Sequence, residues 1–116
     1  MAKAGSFSIK VNHGAKSMDM VIVGTFTPEQ VQEFVQDYTT KAKSVKAEEF
    51  VLNVDSTDMD VLTQEMIPSM ENSIRLYQSS GFNKLNIKIK KSAILKMQLN
   101  RILKNANFTN AEIVEI

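Results

Sequence analysis

Apolar runs of strand length alternate with segments of helical spacing over most of this sequence, and this alternation restricts the fold more than any other feature. Two strand-like runs open the chain, and each later run is separated from the next by an amphipathic segment, which gives the order β-β-α-β-α-β-α-β. Helices set between successive strands require crossover connections, which are almost always right-handed and join parallel strands. The sequence therefore predicts a single-domain α/β fold in which three helices pack on a mixed, mainly parallel β-sheet.

The first two strands are predicted to form a hairpin. Phe7, Ile9 and Val11 alternate with polar residues, which is the period of a half-buried strand, and a short turn follows. The second strand has a continuous apolar centre from Met20 to Val23, which is typical of a strand covered on both faces. The short connection between the two strands favours antiparallel pairing.

The first helix has the clearest start signal in the chain. Thr27 is placed to cap it, Pro28 suits its first position, and Gln30 completes a capping box. We predict this helix at about 28–45. Its apolar stripe consists of Val31, Phe34, Val35, Tyr38 and Ala42.

The later elements follow from similar patterns. A central strand is predicted at 48–56, and a helix at about 63–79 that stops at Gly81. Pro68 is tolerated only in a first helical turn, so this helix is expected to begin near Ile67. The remaining predicted elements are an alternating strand at 84–90, a helix capped by Ser92, and a short strand at 111–116.

The composition is that of one globular domain, which we predict to span residues 1–116. The chain is 43% hydrophobic and 23% charged, and its net charge of +1 argues for neither nucleic acid nor an anionic membrane as a partner. It contains no cysteine, which excludes disulfides and zinc-thiolate sites, and no apolar run approaches the ~20 residues of a membrane span. The first residues lack the apolar core of a secretion signal, so we expect a cytoplasmic protein.

The element order and three local stretches resemble the STAS domain, the fold of bacterial anti-sigma factor antagonists and of the cytoplasmic tails of sulfate transporters. The stretches are "VIVGTFTPEQVQEF" at 21–34, "EEFVLNVDS" at 48–56 and "LNRILKNANFTNAEIVEI" at 99–116. They are similar to the family's strand and helix entry, to its central strand, and to its final helix, turn and closing strand. The resemblance implies a regulatory module that meets a protein partner around the loop after the central strand.

The antagonist branch of that family carries an Asp-Ser-Ser-Gly-type motif at the start of the next helix, and an anti-sigma kinase phosphorylates its serine. No such motif stands at 62–65 here, where Thr63 is the nearest hydroxyl, and Ser56 lies directly at the predicted strand end. Thr63 and Ser56 are the candidate phosphorylation sites, because a helix N-terminus stabilises a phosphate dianion. The acids around them would repel that charge, so a permanently acidic surface is the alternative.

Carboxylates crowd the segment after the central strand, where Asp55, Asp58 and Asp60 lie close together. Their spacing fits neither the calcium loop of an EF-hand nor an Asp-x-Asp site directly after a strand. Satisfaction of loop backbone groups is the simpler explanation, so we expect no metal and no cofactor. The one histidine, His13, stands in a turn far along the chain from these acids, and we therefore expect no enzyme activity.

The favoured prediction is a non-enzymatic protein-interaction or regulatory module that uses the acidic loop after the central strand. Met59, Met66 and Met70 cluster around this loop. Methionine is an ordinary core filler, but it is also common at docking surfaces. The predicted partner-binding residues are Asp58, Asp60, Thr63 and Glu65.

Two other classes of function remain open. Acids at 48–71 and bases at 72–111 are segregated along the chain, which suits a homo-oligomer or a structural subunit of a bacterial or phage assembly. A nucleic-acid or phosphate-binding protein is the third class, although 83–107 contains no aromatic residue for base stacking. The basic surface of such a protein would consist of Lys88, Lys90, Lys91, Arg101 and Lys104.

Overall fold

The structure is a computed structural model, and it describes residues 5–59 and 62–116. They form one mixed five-stranded β-sheet and three α-helices, which confirms the predicted α/β class. Among these residues no helix is long and apolar enough to cross a membrane. The elements are β1 (Ser6–Asn12), β2 (Ser17–Gly24), α1 (Pro28–Lys43), a 3-10 turn (Ala47–Glu49), β3 (Val51–Met59), α2 (Met66–Ser80), β4 (Lys84–Ile89), α3 (Ala93–Asn105) and β5 (Ala111–Glu115).

The strands lie side by side in the order in which they occur along the chain, β1-β2-β3-β4-β5. β1 and β2 pair antiparallel, as predicted for the hairpin, and each later pair is parallel. Every crossover therefore connects two neighbouring strands, and all three crossovers run in the same direction across the sheet. Right-handed crossovers in one direction place their helices on the same face of a sheet, so the domain has two layers and leaves the other face of the sheet open.

Burial along the strands alternates as this layering requires. Met18, Leu52 and Leu85 lie in one register row across β2, β3 and β4, and all three are completely buried under the helices. The prediction that the centre of β2 is covered on both faces is wrong, since Val21 is 40% exposed. The apolar run in β2 contains valines that face the open side, because no helix crosses that side to cover them.

The open face of the sheet carries a row of polar side chains. Asp19, Asn53 and Asn86 are neighbours in register on β2, β3 and β4. The Asn53 Nδ2 donates a hydrogen bond to Asp19 Oδ1 at 3.0 Å, and the Asn86 Nδ2 donates to Asn53 Oδ1 at 3.1 Å. These bonds satisfy the partly buried polar groups and stabilise the strand pairing where no second helical layer is present.

The helix boundaries follow the capping signals. The predicted capping box is present, with the Gln30 N–H donating to Thr27 Oγ1 at 3.3 Å and the Thr27 N–H donating to Gln30 Oε1 at 2.9 Å. α2 begins at Met66, which puts Pro68 in its first turn, where a missing N–H is harmless. It ends at Ser80 and is capped by Gly81, whose φ of 88° lies in the left-handed region that favours glycine.

The central strand ends later than its predicted boundary at Ser56. β3 runs from Val51 to Met59, so the first residues of the predicted acidic loop belong to the sheet. They pair with the end of β2, where Gly24 lies opposite Met59 after a local shift in register. Backbone pairing with the neighbouring strand therefore prevails over the polar composition that predicted a loop.

Candidate functional site

The carboxyl ends of β2 and β3 lie side by side at one edge of the sheet, which we call the carboxyl edge. The turn 25–27 leads from β2 into α1, and the segment after β3 leads into α2. Open α/β sheets usually place their binding sites at this edge, because the connecting loops converge there. Asp58, Thr63 and Glu65 belong to it, whereas Asp60, the fourth predicted partner-binding residue, lies outside the described residues.

A cavity of about 60 Å³ lies below the carboxyl edge, between the sheet and the helices α1 and α2. Most of its wall is apolar, with Ile22 and Val54 from the sheet and Phe34 and Ile74 from the helices. None of the described side chains that line it carries a charge. An ionic ligand would therefore find no counter-charge among these side chains.

Five apolar side chains both line the cavity and remain partly exposed to solvent, and we call them the apolar rim. They join the cavity to the surface of the carboxyl edge. The methionines that cluster in the sequence thus serve neither as a closed core nor as a wholly exposed surface. The rim consists of Phe26, Val31, Met59, Met66 and Met70.

Three of the predicted partner-binding side chains are exposed at the carboxyl edge. Asp58 lies one residue before the end of β3 and forms an ion pair with Lys90, with 3.6 Å between Oδ1 and Nζ. Glu65 is the residue immediately before α2. Thr63 caps the first turn of that helix, since its Oγ1 accepts a hydrogen bond from the Met66 N–H at 3.3 Å.

Ser56 is buried, although the sequence suggested a strand end at this residue. Its side chain is 2% exposed, points toward the helical layer and lines the cavity. A kinase could reach it only if the sheet opened. Of the two candidate phosphorylation sites, Thr63 alone is exposed in the folded chain.

Asp55 lies on the open face of the sheet and not beside the cavity, because its side chain alternates with those of its buried neighbours. Its Oδ1 accepts hydrogen bonds from the Thr57 hydroxyl at 2.7 Å and from the Thr57 N–H at 3.0 Å. These bonds, followed by the charge of Lys88, hold the pKa of the Asp55 carboxyl below its usual value against the opposing effect of burial. Within the described part of the chain, no cluster of three or more carboxylate or histidine side chains could hold a metal ion.

The predicted basic surface is divided between different sides of the molecule. Lys88 lies on the open face of the sheet, whereas Arg101 and Lys104 are exposed on α3 in the helical layer. Lys90 and Lys91 follow β4 at the carboxyl edge. Acids of 48–71 meet bases of 72–111 in two ion pairs, Asp58 with Lys90 and Glu71 with Arg75 at 2.9 Å. Two more bases of 72–111 pair with acids near the C-terminus, Lys84 with Glu112 at 3.1 Å and Lys96 with Glu115 at 2.8 Å.

Gln98 of α3 holds the segment between β3 and α2, a role that nothing in the sequence indicates. Its Nε2 donates a hydrogen bond to the Leu62 carbonyl at 2.9 Å, and its Oε1 accepts one from the Leu62 N–H at 3.0 Å. The Leu62 side chain is buried beneath this pair of bonds. A glutamine in an amphipathic helix resembles any solvated residue, so sequence periodicity alone could not identify it.

His13 is far from the cavity. It lies in the turn between β1 and β2, at the amino ends of the parallel strands, and its ring meets Phe50 edge-to-face with 5.9 Å between the centroids. It therefore cannot act together with the acids of the carboxyl edge in this fold.

Comparison with known proteins does not assign this chain to a family. No protein-family model, no curated protein and no solved structure matches it. The resemblance to the STAS domain accordingly depends on sequence pattern alone, and function has to be argued from the geometry of the carboxyl edge.

Proposed function

We propose that this chain is a non-enzymatic, STAS-like protein-interaction module that binds a partner protein at the carboxyl edge. The observation that carries the proposal is the apolar rim, with exposed carboxylates beside it. Protein docking sites combine an apolar centre with a polar, charged margin. Methionine is also frequent at such sites, since its flexible side chain adapts to partners of different shape.

The charges around the rim specify the chemistry of the partner. Glu29 lies in the first turn of α1, Glu65 precedes α2 and Asp58 lies near the end of β3, and all three side chains are exposed. A protein segment with an aliphatic or aromatic side chain flanked by lysine or arginine would complement this arrangement. Lys90 already pairs with Asp58, so we expect Glu29 and Glu65 to contribute most to the attraction.

Thr63 offers a way to regulate this binding. Its exposed hydroxyl stands at the N-terminus of α2, where the helix dipole would stabilise a phosphate. Phosphorylation would add negative charge beside Glu65 and would strengthen the attraction for a basic segment. Such regulation requires a protein kinase, and we propose a cytoplasmic location for both proteins.

Photo-cross-linking tests where the partner binds. A cross-linking amino acid at Gln64, beside Glu65, is compared with the same amino acid at Ser8, which is exposed on the open face of the sheet. In cells that naturally produce this chain, we expect a defined protein to be cross-linked from Gln64 and not from Ser8. Cross-linking from Ser8 alone would contradict the proposal.

Calorimetry with the purified partner then tests the contribution of charge. Glu65→Lys should weaken binding about tenfold and reduce its salt dependence, whereas Lys10→Glu on the open face should leave both unchanged. Equal effects of the two variants would refute docking at the carboxyl edge. If the cross-linked protein is a second copy of this chain, self-assembly replaces the proposal, and light scattering would then detect an oligomer that high salt dissociates.

A further inference from the structure

We propose that the cavity below the carboxyl edge binds a small, neutral and mostly apolar organic molecule that carries one polar group, such as a short-chain alcohol, ketone or amide. The hydroxyls of Ser56 and Ser73 would bond to the polar group, and the apolar wall would surround the remainder. This inference concerns the interior of the domain and does not depend on the proposed protein partner.

Two buried hydroxyl groups carry the inference. Ser56 is 2% exposed and Ser73 is 8% exposed, and both line the cavity. Neither hydroxyl has a hydrogen-bond partner within residues 5–59 and 62–116, yet none of the side-chain oxygens there is both fully enclosed and unpartnered. The two oxygens therefore border free space, and the free space that both residues line is the cavity.

The behaviour of Ser73 differs from that of another serine on the same helix. Ser80 donates a hydrogen bond to the Leu76 carbonyl, four residues earlier, which is the usual way for a helical serine to satisfy its hydroxyl. Ser73 makes no such bond to the described chain and leaves its hydroxyl free for a molecule in the cavity. A buried hydroxyl without a partner destabilises the fold, so a ligand that bonds to it gains affinity.

The wall of the cavity determines the charge of the ligand. Its described lining includes no lysine, arginine, histidine, aspartate or glutamate, so an ionised ligand would be buried without a counter-ion. Such burial is strongly unfavourable compared with solvation in water. The cavity should therefore select a neutral alcohol over a carboxylate of the same length.

The volume determines the size of the ligand. A water molecule needs roughly 10–15 Å³ of such space, so the cavity of about 60 Å³ accommodates about four to six water-sized groups. That many waters would find few polar partners, because apolar side chains make up most of the wall. A molecule with one polar end and a short apolar body satisfies both parts of the wall.

The apolar rim provides a route into the cavity. Met59 and Met66 line the cavity and are partly exposed, and methionine side chains rotate readily. A small molecule could therefore enter at the carboxyl edge without separation of the sheet from the helices.

Methyl NMR of the purified chain tests the inference with three probes: 1-pentanol, pentanoate and benzene. We expect pentanol to shift the methyl signals of Ile22, Ile74 and Ile87, and pentanoate at pH 7 to bind at least about tenfold more weakly. Ser56→Ala and Ser73→Ala should each weaken pentanol binding about five- to tenfold and leave benzene binding unchanged within about twofold. The control Ser8→Ala, on the open face, should alter neither.

Several results would overturn the inference. They are equal binding of pentanol and pentanoate, unaltered pentanol binding in both serine variants, and methyl signals that no probe shifts at millimolar concentration. Bound waters that pentanol does not displace would also overturn it. Ser73→Leu, which fills the cavity, should abolish all shifts, and if circular dichroism finds this variant unfolded, the two alanine variants decide the question.

Discussion

Raising the pH should reveal how completely α1 and α2 enclose the phenol of Tyr38. The ring is fully buried, and its centroid lies 5.1 Å from that of the Tyr77 ring. The Tyr38 hydroxyl donates a hydrogen bond to Ser80 Oγ at 2.9 Å. Burial raises the pKa of Tyr38 from its usual 10.0 to about 12, and the bond to Ser80 offsets only part of this rise. Because the unfolded chain releases this proton at lower pH than the folded protein, the free energy of unfolding should fall as the pH rises between the two values.

Tyr38→Phe isolates this contribution. At pH 8 the variant lacks only the bond to Ser80, which is worth about 1 kcal/mol, since the Ser80 hydroxyl keeps its own bond to the Leu76 carbonyl. At pH 11 the Tyr38 phenol should have lowered the free energy of unfolding of the wild type by about 1.4 kcal/mol, because the unfolded phenol is then one pH unit above its pKa while the folded phenol remains protonated. Burial also raises the pKa of Tyr77, but this phenol is present in both proteins and its effect cancels in their difference. Phenylalanine has no proton to release, so the variant should match the wild type near pH 11 and exceed its stability above that pH.

Urea unfolding followed by far-ultraviolet circular dichroism at pH 8, 10 and 11 measures this change. Deprotonation of lysines affects both proteins and cancels in their difference. The chain contains two tyrosines and no tryptophan, so near-ultraviolet absorbance of tyrosinate gives an independent titration. A variant whose deficit stays constant from pH 8 to 11 would refute the argument, because the phenol would then titrate equally in the folded and unfolded states.

Three further perturbations probe other parts of the fold. Gly81→Ala should lower the free energy of unfolding by about 1 kcal/mol, because a φ of 88° strains any residue with a Cβ. The control Gly14→Ala should change this free energy little, and thermal denaturation of the two variants makes the comparison. Gln98→Ala should lower the free energy of unfolding by about 2 kcal/mol, because two hydrogen bonds are lost, and it should accelerate hydrogen exchange of the Leu62 amide. Unchanged exchange would contradict the role of Gln98 in holding Leu62. Asp55→Asn should lower the free energy of unfolding at pH 7. The difference in this free energy between variant and wild type should shrink as the pH falls below 3.8 and through the lowered pKa of Asp55 in the folded state. Urea unfolding measures it, and a difference that does not vary with pH would contradict this assignment.

Signals that act within one helical turn could be predicted from the sequence. The capping box of Thr27 and Gln30 and the stop at Gly81 depend on neighbours a few residues away, and the structure confirms them. The end of β3 could not be predicted in this way. Its last residues are in the sheet because β2 extends far enough to pair with them, and the length of a distant strand leaves no mark on the sequence near Ser56.

The candidate site could be predicted only in outline. Asp58 lies near the end of a parallel strand, and Thr63 and Glu65 follow that strand, so chain direction alone assigns all three to the carboxyl edge. Their relation to the cavity could not be foreseen, since its wall combines β2 and β3 with α1 and α2. The same holds for the predicted basic surface, which is divided because strand and helix residues adjacent in sequence lie on opposite sides of the sheet.

Periodicity and connection length are local properties, so the sequence was sufficient to predict the order of the elements, the antiparallel hairpin and the parallel sense of the later strands. Packing between distant segments places all three helices on one face, brings Ser56 and Ser73 to a common cavity, and bonds Gln98 to Leu62. An apolar stripe indicates that an element is buried, but it does not indicate which other element covers it. The covering element depends on the direction in which each crossover connection runs across the sheet, and no local sequence pattern indicates that direction.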